Sequence, residues 1–207
     1  MAKTTLYEKR LRELRNSVVS GIVFSLLLTL LLIIVVANGF FLIKIEVNKT
    51  SMLPTVLDGD IVYADKYRKP NYGDIVIISG EESSWIIKRV IAMEGDTVMI
   101  KGGYVYLKKS GEDDFFELQE KYLNKSVKTP CRIGADYNES ATFNVGEKEI
   151  FYLGDNRTVS VDSRSDFGNC TESQIVGVVT EWSIKVKGVS TAINKFLSGI
   201  FGGQKSN

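Results

Sequence analysis

Hydrophobic positions along the chain follow two different periods, and the change between them divides it. From Val18 to Ile43 the residues run VVSGIVFSLLLTLLLIIVVANGFFLI without a charged side chain. At about 1.5 Å of rise per residue, a helix of that length crosses a bilayer core of about 30 Å. This predicts one spanning helix over 18–43 after a polar segment over 1–17. A cleaved signal peptide, the alternative, would carry an apolar run of only about 7–15 residues leading to a small-residue cleavage site. Asn38-Gly39 predicts fraying at the outer end, with Phe40 and Phe41 at the interface, because glycine disfavours continuing a helix.

After Ile45 the pattern shifts to short runs rich in Val, Ile, Tyr and Phe: Asp60-Ile-Val-Tyr-Ala, Asp74-Ile-Val-Ile-Ile, Trp85-Ile-Ile-Lys-Arg-Val-Ile and Tyr104-Val-Tyr-Leu, separated by Gly and Asp turns. Such runs predict a mainly β domain over 44–182 with non-local strand pairing. The polar stretch near 108–137 reads as an excursion from the sheet with one short helix. In the tail, 183–207, Ile193, Phe196, Leu197, Ile200 and Phe201 recur at helical spacing with Lys185, Lys187 and Lys195 nearby. That suits a short amphipathic helix on a membrane surface, and equally a helix against the sheet or a frayed terminus.

Charge sets the orientation. Lys3, Lys9, Arg10, Arg12 and Arg15 precede the apolar run and only Lys44 and Lys49 follow closely, so the positive-inside bias keeps the N-terminus cytoplasmic and the β domain outside. The net charge of +1 gives no reason to expect nucleic acid as a partner. The chain has no histidine, which excludes a Ser-His or Cys-His pair and removes imidazole from any metal site. Cys131 and Cys170 are too far apart for a CxxC motif and are compatible with either one disulfide or two buried thiols.

Three segments carry candidate chemistry: Thr50-Ser-Met-Leu-Pro-Thr55, Lys88-Arg-Val-Ile-Ala-Met-Glu-Gly-Asp96, and Gly154-Asp-Asn-Arg-Thr-Val-Ser-Val-Asp-Ser-Arg164. Singly they read as a turn serine, a strand lysine and a β-turn. Together, in this order after an apolar helix, and with Gly73-Asp74 between the first two, they resemble the bacterial type I signal peptidase family.

The resemblance implies a signal-peptidase-type β fold and a membrane-bound serine endopeptidase that removes signal peptides from secreted precursors. Ser51 would be the nucleophile and Lys88 the general base, with Ser160 orienting the lysine amine and Asp162, Arg164 and Asp155 bracing the site. Ile45 and Val47, even steps before Ser51, would share one face of an extended strand as pocket residues, Val56 and Ile87 align with the family's pocket-lining residues, and shallow apolar pockets favour small side chains at Ala-x-Ala-like sites. No metal or cofactor is implied. A monomer in a bacterial plasma membrane is expected, with signal peptides and the lipid bilayer as partners. Lys49 departs from the family, where serine or glycine is common two positions before the nucleophile. Thr158-Val159 departs where acidic or polar residues are common.

Physics adds one demand: a lysine acts as a base near neutral pH only if burial lowers its pKa from about 10.4. Trp85, Ile86, Ile87, Val90 and Ile91 make its strand apolar enough for that. The rival readings are a self-cleaving Ser-Lys repressor-type protein, which would carry a DNA-binding helical domain in place of the span, and a catalytically dead scaffold, which would be expected to have lost Ser51 or Lys88.

Overall fold

The uncharged run is helical: α1 spans Ala2–Phe41. Its apolar side chains are exposed on every side, Leu26, Leu27, Leu31 and Leu32 among them. It is the one helix among the described residues that is long and apolar enough to cross a membrane. The computed structural model describes residues 2–80 and 84–201. Contacts divide the chain into two units, Met1–Leu42 and Ile43–Asn207.

One expectation fails in α1. The helix runs through Asn38-Gly39 to Phe41 without fraying. A glycine costs roughly 1 kcal/mol in a helix interior, and propagation adds a backbone hydrogen bond for each residue fixed, so an established helix passes one glycine. The side chain of Asn38 lies outside the described residues.

Beyond α1 the chain is β-structured, as its short Val/Ile runs predict. The strands are β1 (Leu42–Glu46), β2 (Ile61–Asp65), β3 (Ile75–Ser79), β4 (Trp85–Met93), β5 (Thr97–Lys101), β6 (Tyr104–Lys108), β7 (Phe116–Glu117), β8 (Ser140–Asn144), β9 (Glu149–Leu153), β10 (Cys170–Thr171) and β11 (Ile175–Val179). They form a seven-stranded sheet in the order β1-β2-β11-β3-β4-β9-β10 and a four-stranded sheet in the order β7-β6-β5-β8. A C-terminal helix, α2, spans Glu181–Phe201.

Alternating positions on the larger sheet feed different cores. Ile75 and Ile77 of β3 pack with Val47, Met52, Val56 and Val62, while Val76 and Ile78 pack with Val90, Ile150, Tyr152 and Val178. A third cluster joins the two sheets, with Ile91, Phe151 and Leu153 against Val98, Ile100, Val105 and Leu107. β4 touches every cluster and lies between β3 and β9, which makes it a rigid mount for a reactive side chain. Cys131 and Cys170 are buried free thiols in different clusters. The stretch 108–137 holds β7 and turns but no helix. Its polar side chains are used by charged groups elsewhere in the fold, as described below.

Candidate active site

Lys88 sits mid-strand in β4 and is 4 % exposed. Its Nζ donates to Ser51 Oγ at 2.9 Å and to the Ile87 carbonyl at 3.0 Å. Burial lowers its pKa from 10.5 to about 8; the negative charge of Asp162 opposes that shift and the positive charge of Lys49 assists it. Desolvation disfavours the ammonium, so a large neutral fraction exists near pH 8.

Ser51 lies in the turn between β1 and β2. Met52, fully buried among Val47, Val56 and Val62, pins that turn to the core. Leu53 N–H bonds to Thr50 O at 3.2 Å and Val56 N–H to Met52 O at 3.1 Å, and the Leu53–Pro54 peptide is cis. From the opposite side, Asn156 N–H donates to Ser51 O at 3.0 Å and Asn156 Nδ2 to Thr50 O at 3.1 Å. Among the described residues the Ser51 N–H donates to no protein acceptor. Lys49 holds φ at +109°, a region that suits glycine, and its N–H is fixed by Asp58 Oδ1 at 2.7 Å.

The third motif forms the floor. Asp162 and Arg164 make a buried bidentate pair, with Nε–Oδ1 and Nη2–Oδ2 both at 2.8 Å. Asp162 Oδ2 also accepts Gly154 N–H at 3.0 Å, and Arg164 Nη1 donates to Pro130 O at 2.9 Å. Asp155 accepts both Arg89 Nε at 2.8 Å and Arg89 Nη2 at 2.6 Å, and also takes the Thr55 hydroxyl. It thereby ties β4 to the turn that carries Ser51. The Ser160 hydroxyl is fully buried and has no hydrogen-bond partner among the described residues. Gly154 fits closely: a Cβ there would come within 2.5 Å of Ser51 O and would meet the Ser160 hydroxyl.

One group escaped sequence reasoning. Arg157, within the quoted motif but given no role, is 1 % exposed. Its guanidinium pairs with Glu120 and donates to Thr129 Oγ1 at 2.7 Å and Gly154 O at 3.0 Å. Tyr122 stands under the Arg89 guanidinium, 3.7 Å from ring centroid to Cζ, and accepts from Arg157 at 3.3 Å. The excursion therefore supplies the counter-groups that keep two buried arginines paired. Its only visible signal was acidic and aromatic residues in an otherwise polar stretch.

A cleft of about 480 Å³ opens beside Ser51 and Lys88, lined by residues 44–49 and by Ser84, Trp85, Ile86 and Ile87. Ile45, Val47 and Ile87 are on its wall. Val56 is fully buried in the same cluster beneath, so it supports the wall without lining it. Among the described residues no group of three or more His, Cys, Asp or Glu could hold a metal ion. What the arrangement offers is a hydroxyl, an amine able to take its proton, and an apolar trough alongside: the parts of acyl transfer.

Comparison with known proteins agrees with that chemistry. The family described as signal peptidase, peptidase S26, matches residues 20–183. Signal peptidase I T of Bacillus subtilis (strain 168) is 33% identical over 186 residues, covering 84% of this chain and 90% of its own. Signal peptidase I of Bacillus licheniformis is 30% identical over 82% of this chain and 90% of its own. Signal peptidase I of Streptococcus pneumoniae serotype 4 is 29% identical over 68% of this chain and 82% of its own.

Proposed function

Because the chain belongs to the signal peptidase family, peptidase S26, and is a signal peptidase I serine endopeptidase, we propose that it removes signal peptides by a Ser51–Lys88 dyad. The observation that carries this is the 2.9 Å contact between Ser51 Oγ and a lysine that is 4 % exposed. Neutral Lys88 takes the Ser51 proton as Oγ attacks the scissile carbonyl. The ammonium then gives that proton to the leaving amine, and the acyl-enzyme forms. Water, deprotonated by the same amine, releases the signal peptide's new carboxylate and restores Ser51. The Ser51 N–H is a donor for the oxyanion in both steps.

Ser160, Asp162, Arg164 and Asp155 act as positioning residues. The orphan Ser160 hydroxyl is the natural partner for the Lys88 amine once Ser51 is engaged by substrate. Asp162 stabilises the ammonium that forms during each step, which agrees with the direction of its effect on Lys88. Asp155 holds Arg89, the neighbour of Lys88, against the nucleophile's turn.

The substrate lies as an extended strand in the cleft, its backbone giving affinity and its alternate side chains entering the wall at Ile45, Val47 and Ile87, with Val56 behind. Shallow apolar pockets there would favour small side chains, hence small-x-small sites. The helix α1 anchors the enzyme in a bacterial plasma membrane with the N-terminus cytoplasmic and the catalytic unit outside, as a monomer. Its site then stands close to where a precursor's cleavage site emerges.

The test is cleavage of a secretory precursor by the detergent-solubilised protein, by Ser51→Ala and by Lys88→Ala, with the new N-terminus sequenced. Cutting after a small-x-small site, lost in both variants while they remain folded, is expected. Near-normal turnover by either variant refutes the dyad, and no cutting by folded wild type across several precursors returns the scaffold reading.

A further inference from the structure

Helix α2 is the wrong way round for a helix that covers a core. The side chains turned toward the domain are mostly polar: Ser183 is buried, and Ile184, Lys187, Ser190, Thr191 and Asn194 are half-buried. Ser183 Oγ donates to Thr180 O, Lys187 pairs with Asp60 at 3.0 Å, Thr191 Oγ1 accepts Ile61 N–H at 2.9 Å, and Asn194 Oδ1 accepts from Lys44 Nζ. The apolar side chains form a second stripe at helical spacing: Val186, Val189, Ile193, Phe196 and Leu197 face away, from 40 % to 67 % exposed, while Trp182 stacks on Tyr63 of β2 with ring centroids 5.4 Å apart. Hydrophobic association normally selects the opposite orientation. Here specific hydrogen bonds fix the polar face inward and leave the apolar one outward.

Covalent geometry says what covers it. Lys44 follows Phe41, the last residue of α1, by three positions, so it lies within roughly 11 Å of the helix end at about 3.3–3.6 Å per residue. Lys44 is bonded to Asn194, next to Ile193 and two positions before the Phe196–Leu197 pair along the sequence. We infer that the outward stripe of α2 lies in the lipid surface, a second membrane contact that holds the cleft close to the bilayer. This rests on α1 spanning the membrane. Lys185 and Lys195, exposed to the side of the stripe, suit anionic lipid.

The inference is tested on the full chain in vesicles of phosphatidylcholine and phosphatidylglycerol with brominated acyl chains. Bimane is attached at Phe196→Cys, at Lys185→Cys or at Leu28→Cys, leaving the buried Cys131 and Cys170 unmodified. Loss of most fluorescence at position 28 reports the span itself. With that loss seen, strong quenching at 196 and little at 185 is the expected result. Quenching at 28 with none at 196, or equal weak quenching at 196 and 185, overturns the α2 contact alone. Shielding of 196 that disappears on dilution with lipid overturns it in favour of a second copy of the chain. No quenching at 28 overturns the span, and the α2 contact with it.

Discussion

Replacing Lys88 by methionine should make the protein more stable while destroying its activity. The lysine's pKa falls from 10.5 to about 8 on folding, mainly through burial, and at about 1.4 kcal/mol per unit this is a cost of about 3 kcal/mol. Because the folded pKa is the lower one, the unfolded chain holds the proton more tightly. The cost is therefore complete below about 8, shrinks as pH rises through that value, and is gone above 10.5. Methionine has similar bulk and no charge, although it forfeits the bonds to Ser51 Oγ and Ile87 O, each worth about 1 kcal/mol net. A net gain of about 1 kcal/mol at neutral pH remains, about 2–4 °C in Tm for a domain of this size. The assay is thermal unfolding in detergent, wild type against Lys88→Met, from neutral to strongly alkaline pH. The gap should close as pH rises. A variant less stable than wild type at neutral pH, or a gap independent of pH, would refute the claim that this lysine is kept desolvated.

Cleavage by wild type, measured as kcat/KM against pH, should rise about tenfold per unit below the Lys88 pKa and level off above about 8; a flat acid limb would exclude a lysine base. Since the Lys49 charge helps lower that pKa, Lys49→Gln should move the same limb to higher pH and leave the alkaline plateau in place, and an unmoved midpoint would deny the coupling. Glu120→Ala leaves Arg157 buried without its carboxylate and should cost about 3–5 kcal/mol in denaturant unfolding, whereas a loss under 1 kcal/mol would show that Thr129 and Gly154 suffice. Gly154→Ala drives a methyl into Ser51 O and the Ser160 hydroxyl; it should lose most activity in the precursor assay, and normal turnover would mean the two motifs are not in the contact described.

Local features were legible in the sequence and long-range pairings were not. An uninterrupted apolar run leaves little choice but a helix, and Val/Ile runs punctuated by Gly and Asp leave little but strands. Ser51 and Lys88 stood out because each sits in a recognisable motif, the structure brings them to 2.9 Å, and the apolar neighbours of Lys88 announced its burial. Glu120, Tyr122 and Thr129 were missed because their importance lies in meeting Arg157 and Arg89 across the fold, which no local window records. Val56 aligned with a wall and proved to stand behind it, a distinction of one layer that sequence alone does not carry. For the tail, periodicity found the helix and its apolar stripe but not which face the domain takes. That was decided by Asp60, Thr191 and Lys44, single hydrogen-bonding partners far apart in the chain. Ile200 and Phe201 belong to the same stripe by spacing, and their side chains lie outside the described residues.

The bond from Asn156 to Thr50 closes a separation of 106 positions, whereas Ser51 and Lys88 are only 37 apart. A chain emerging from the ribosome thus acquires Ser51 and Lys88 well before the segment that clamps them. Contacts between remote segments form late, after the entropy of closing the intervening loop has been met. Nascent and truncated chains consequently own both reactive groups yet lack the scaffold that would aim them. The geometry that aims them therefore arrives only with the segment that carries Asn156.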